Sequence, residues 1–86
     1  MKIYDIRKKP YQAVRLNKRN RLEVIAWINE YDLGHDAHEV DGKGIMFFCR
    51  NNGMMLCNYD DYIIKTGMHD FFICQGGLFS MKWEIL

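Results

Sequence analysis

One stretch of this chain carries a full helical periodicity, and that bounds the fold more tightly than any other feature. Val24, Trp27, Ile28 and Tyr31 recur at helical spacing, with Leu22 and Ile25 widening the stripe. Asn20 stands where a helix is capped, and Glu23 follows three residues later as in a capping box. Gly34 suits the position just past a helix end, where positive φ costs a glycine little. The spacing predicts a helix over residues 20–32. With one such segment, the rest of the core must come from strands.

The remaining segments read as β. Pro10 to Leu16 sets Tyr11, Ala13 and Arg15 against Gln12, Val14 and Leu16, and its proline opens the strand, where no ladder donor is needed. Beyond the helix, His38–Val40, Ile45–Arg50, Met54–Cys57, Tyr62–Lys65 and Asp70–Cys74 are short β-prone runs. Between them lie Asp41-Gly42-Lys43-Gly44, Asn51-Asn52-Gly53 and Gly67-Met68, all turn signals. Asn-Gly suits a two-residue type I′ hairpin turn. A Gly67-Met68 tip would set Lys65 opposite Asp70 and Ile64 opposite Phe71. Gln75-Gly76-Gly77 breaks the last run, Leu78–Met81 reads as a helical turn and Lys82–Leu86 as a final strand. The expected fold is α+β, one helix packed on a small antiparallel β-sheet in the order β-α-β-β-β-β-β. At 86 residues the chain is long enough for a single domain, 1–86, with one modest core.

The hairpin at Asn52-Gly53 is apolar on both sides. Its expected register places Ile45, Phe47, Cys49, Met54 and Leu56 on one face and Met46, Phe48, Met55 and Cys57 on the other. One helix covers one face. The second face either curls into the molecule's own core or forms a strip for a partner, and thioether side chains adapt well to partner surfaces.

Twelve Lys and Arg against eleven Asp and Glu give a net charge of +1, which excludes an acidic DNA mimic and a strongly basic DNA-coating protein. The balance is uneven along the chain: residues 1–21 carry +7 and residues 22–86 carry −6. Lys18, Arg19 and Arg21, together with Met54 and Met55, are therefore candidate partner contacts. The alternative is a basic arm folded back over its own acidic remainder. A nucleic-acid module using residues 1–21 is a further reading, although aromatic residues do not interleave with the basic ones.

No catalytic motif is present. Gly42 and Gly44, and Gly76-Gly77, do not lead into a helix bearing Lys-Ser/Thr, so no phosphate loop is formed. Thr66 and Ser80 are the only aliphatic hydroxyls and neither has a histidine at suggestive spacing. Asp60-Asp61 reads as a turn. His35-Asp36-Ala37-His38-Glu39 is the sharpest constellation, in a chain that also carries Cys49, Cys57 and Cys74. The expected pairing puts Asp36 and His38 on one face with Phe47 and Cys49. His35, Asp36, His38 and Cys49 are then candidate ligands for a structural zinc, with His69 as the substitute fourth. The competing reading is a solvated loop, a buried thiol and no cofactor. Three cysteines cannot all pair within one chain, which fits a reducing cytoplasm. No apolar run approaches the roughly twenty residues needed to span a bilayer, and the first ten residues do not read as a secretory signal.

Asp61-Tyr62-Ile63-Ile64-Lys65, then Gly67, Phe71-Phe72-Ile73-Cys74 and Leu78-Phe79, resembles the end of a family of small phage and prophage proteins. That family's pattern runs Pro-Gly-Asp-Tyr-Ile-Ile-Lys-Gly, a gap, Glu-Phe-Tyr, Cys and Lys-Pro-Asp-Ile-Phe. Arg7-Lys8-Lys9-Pro10, Ala13-Val14 and Leu22-Glu23-Val24-Ile25 are similar to its opening. The likeness covers roughly half the chain. It departs where Pro-Gly becomes Tyr59-Asp60, where Lys-Pro becomes Gly76-Gly77, and across residues 33–58. The resemblance implies a phage origin and supplies no catalytic residue. By analogy it implies stoichiometric binding to a host protein in the host cytoplasm, as a monomer or small homo-oligomer. The preferred role is a host-defence inhibitor, an anti-CRISPR acting on a Cas nuclease such as Cas9; the alternative is a structural or morphogenetic phage component.

Overall fold

The computed structural model describes residues 1–6, 11–31, 36–50 and 52–86. The elements are β1 (Tyr4–Asp5), β2 (Gln12–Arg15), α1 (Arg21–Tyr31), β3 (His38–Val40), β4 (Gly44–Cys49), β5 (Gly53–Asn58), β6 (Tyr62–Lys65), β7 (Phe71–Cys74) and α2 (Gly76–Lys82). This is an α+β fold with antiparallel pairing throughout. The five β-prone runs between the helix and Gln75 all form strands, and α1 lies within the expected segment. Pro10, Gly34 and Asn51 lie outside the described residues.

The strands divide into two sheets rather than one. β1-β2-β6-β7 form the first and β3-β4-β5 the second. The chain leaves the first sheet after β2, builds α1 and the second sheet, and returns with β6 beside β2 in the register Ala13↔Ile64 and Val14↔Ile63. The two apolar sets of β2, read from alternation, fall on opposite faces of this sheet. Val14, Ile63 and Phe71 join Val24, Trp27 and Ile28 of α1 and Ile45, Phe47, Cys49 and Cys57 of the second sheet in the larger core. On the reverse face Ala13, Ile64 and Cys74 meet Phe79 of α2, with Tyr62, Phe72 and Trp83 packed around them. Each fully buried large aliphatic or aromatic side chain contributes roughly 1.5–3 kcal/mol.

The second helix answers the need to cover that reverse face. The Phe79 ring lies 3.7 Å from that of Tyr62 at 9°, and Gly76 N donates to Asp61 Oδ1 at 2.9 Å, fixing where α2 begins. The expected final strand over 82–86 is reduced to one bridge, Ile85 opposite Ile6.

All three hairpins differ from the expected register by an odd number of residues, for one physical reason. Each loop has an odd number of residues, and parity decides which side chains share a face. Val40 pairs with Gly44, leaving Asp41, Gly42 and Lys43 as the turn, with Lys43 N donating to Val40 O at 3.0 Å. Cys49 pairs with Gly53, whose φ is +72°. Lys65 pairs with Phe71 rather than Asp70, and Thr66 N closes the loop by donating to Asp70 O at 3.0 Å. In the second sheet the inner face is consequently Ile45, Phe47, Cys49, Met55 and Cys57. The outer face is Met46, Phe48, Met54 and Leu56.

Candidate interaction surfaces

The outer face of β3-β4-β5 turns a row of apolar side chains toward solvent. Phe48 and Met54 are directly cross-strand and are 47% and 55% exposed, with Met46 and Leu56 as the next pair, half-buried. Met54 and Met55 do not act together. Alternation sends Met55 inward, where it packs on the larger core. Sequence reading found the apolar strip but gave it the wrong membership; the exposed partner of Met54 is Phe48.

The same parity shift separates the expected zinc ligands. His38 pairs with Met46, so Asp36 and His38 belong to the outer face, while Cys49 points inward. Asp36 Oδ1 accepts from Phe48 N at 3.2 Å, and His38 Nδ1 donates to Asp36 O at 2.8 Å. Cys49 Sγ instead accepts from Phe71 N at 3.2 Å and donates to Phe71 O at 3.4 Å. His69 donates from Nδ1 to Tyr31 O at the end of α1. Among the described residues no group of three or more His, Cys, Asp and Glu side chains converges on a metal position. His35 lies outside them. Asp36, His38 and Cys49 do not assemble as that reading required.

The thiols are free and buried. Burial pushes the Cys57 thiol up to about 12, with the Asp61 carboxylate adding to the effect, so it stays protonated and unreactive at neutral pH. Tyr59 is also raised, by the hydrogen bond it donates to Glu39.

The three predicted basic contacts face different surroundings. Arg21 Nε pairs with Glu39 Oε2 at 3.3 Å. Lys18 Nζ stands 5.9 Å above the Tyr59 ring. Arg19 alone joins a cleft, of about 330 Å³, lined by Met1, Lys2, Tyr4, Arg15, Asn17, Arg19, Asn20 and Glu23. A tight asparagine network shapes its floor. Asn17 Oδ1 accepts from Arg19 N and Asn20 N, and Asn20 Oδ1 accepts from Asn17 N, each at 2.9 Å. Asn20 Nδ2 donates to Arg15 O at 2.8 Å, tying the turn to the end of β2. Glu23 accepts from the Met1 nitrogen at 2.8 Å, not from the Asn20 amide as a capping box would require. Arg15 is held in place, donating from Nε to Asp60 O at 3.0 Å with its guanidinium 5.6 Å from the Tyr62 ring. Lys2, Tyr4, Arg15, Asn17 and Asn20 went unnoticed as a group in the sequence. The signal available was Asn17-x-x-Asn20, a turn-forming pair inside the most basic segment.

No family model, curated protein or solved structure matches this chain. No helix among the described residues is long and apolar enough to cross a membrane.

Proposed function

We propose that this chain is a phage or prophage accessory protein that works by stoichiometric binding to a host protein in the host cytoplasm. Its preferred role is inhibition of host defence, with a Cas nuclease such as Cas9 as the target. The observation that carries the binding reading is the outer face of the second sheet: a row of apolar side chains centred on Phe48 and Met54, exposed where a β-sheet face of a lone domain is ordinarily polar. Such a face suits the side chains of another protein better than a polyanion. Buried, free thiols are consistent with a reducing compartment.

The phage origin rests on the resemblance alone, and one of its departures has a local explanation. Asp60 occupies the position of the family pattern's glycine and has φ of +75°, a region that glycine enters freely and other residues rarely.

The test is a titration. Purified protein added to a Cas nuclease should reduce cleavage in proportion to the amount added, reaching completion near one equivalent, and Phe48→Glu with Met54→Glu should abolish the effect. Unchanged cleavage at excess protein removes the nuclease as target. Identical host proteins retained from lysate by wild type and by the double variant would remove the outer face as the binding surface. A defined multimer on sizing chromatography would favour a morphogenetic component.

A further inference from the structure

We propose that the cleft between β1, β2 and the start of α1 binds a nucleotide through its phosphomonoester, with Lys2, Arg15 and Arg19 as the anion's partners. The cleft gathers three cations, Lys2 ahead of β1 and Arg15 and Arg19 on either side of the turn between β2 and α1. Its one acidic side chain, Glu23, is engaged with the Met1 nitrogen. Converged like charges repel and are costly to hold together without a counter-charge. Here the structure nevertheless brings them to one cleft and fixes two of the positions they project from. Arg15 is tethered by Asp60 O and the Tyr62 ring, and the backbone carrying Arg19 is clamped by Asn17 and Asn20. Holding one guanidinium and the turn that carries the second before the ligand arrives lowers the ordering entropy spent on binding.

Charge and shape select the ligand class. A carboxylate would neutralise one of three cations, whereas a phosphomonoester brings nearly two negative charges and oxygens that match a guanidinium fork. A volume of about 330 Å³ exceeds what inorganic phosphate fills, leaving room for a sugar and base beside Tyr4. The same chemistry is offered by a free mononucleotide and by the 5′ end of a nucleic-acid strand. This site is independent of the outer sheet face, so its test and that of the binding role above can fail separately.

The experiment is an amide and side-chain NMR titration of the full chain at low and physiological salt. The probes are adenosine 5′-monophosphate, adenosine, and a short oligonucleotide with and without a 5′-phosphate. Adenosine 5′-monophosphate and the phosphorylated strand should shift Asn17, Arg19 and Asn20, while adenosine and the 5′-hydroxyl strand leave them in place. Tighter binding of the strand identifies a strand end, and equal binding identifies a free nucleotide; both uphold the proposal. Lys2→Glu with Arg19→Glu, at exposed positions, should weaken binding by at least about tenfold. Glu23→Gln should tighten it. Equal response to phosphorylated and unphosphorylated probes, no response at millimolar nucleotide, or unchanged affinity in the double variant would overturn the proposal.

Discussion

Asp60 holds φ of +75° because the chain must turn sharply between β5 and β6, and both of its backbone polar groups are used there. Its amide donates to Leu16 O at 2.7 Å and its carbonyl accepts from Arg15. A side chain in that region costs of order 1–2 kcal/mol, offset in part because glycine loses more entropy on folding. Asp60→Gly should therefore stabilise the protein by roughly 0.5 kcal/mol in urea unfolding, with no gain from Asp60→Ala. The opposite is expected at Gly44, where an added Cβ would sit 1.8 Å from Cys57 O. Because that neighbour is backbone, Gly44→Ala should split β4 from β5 and leave the chain largely unfolded by circular dichroism. Cys57 gives a pH dependence. Its thiol titrates from an ordinary 9.0 in the unfolded chain and only near 12 in the folded one. Above pH 9 the unfolded state therefore binds fewer protons, and stability is lost as pH rises through this window, by at most about 1.4 kcal/mol per unit. Urea midpoints measured from pH 8 to 11 should show that slope in wild type and a shallower one in Cys57→Ala.

Elements were legible wherever periodicity was strong. The α1 stripe, the alternation of β2 and the five later strands all stand in the sequence as composition and turn residues. Register was not legible, because it depends on whether a loop holds an even or odd number of residues, and Asp41-Gly42-Lys43-Gly44 or Asn51-Asn52-Gly53 accommodates either. That single parity decided the candidate sites: it moved Met55 inward, Phe48 outward, and Cys49 away from Asp36 and His38. The second helix was legible only as a helical turn at Leu78–Met81, since α2 begins with two glycines, poor helix formers. The registers make a sharp contrast. Phe48→Glu with Met54→Glu should leave the thermal midpoint nearly unchanged, whereas Met55→Glu, placed against the core, should cost about 3 kcal/mol or more. Phe79→Ala should cost a similar amount by uncovering Ile64, Cys74 and Tyr62.

Among the described residues, the basic side chains of the +7 segment divide between partners in the acidic remainder and a cleft of their own. Arg21 with Glu39 exemplifies the pairing, but Lys2, Arg15 and Arg19 gather in the cleft. Two surfaces of different character result, one apolar on the second sheet and one cationic at the edge of the first. On the proposed function such an exterior acts by occupying another molecule, so its effect should scale with the number of molecules present. The decisive measurement is the dose response of a target's activity to added protein, read beside isothermal titration of the same pair. The account predicts a linear loss of activity ending near one equivalent, with a saturable heat of the same stoichiometry that vanishes in the Phe48→Glu, Met54→Glu variant. Complete loss at a small fraction of an equivalent, increasing with time, would mean turnover and would contradict it.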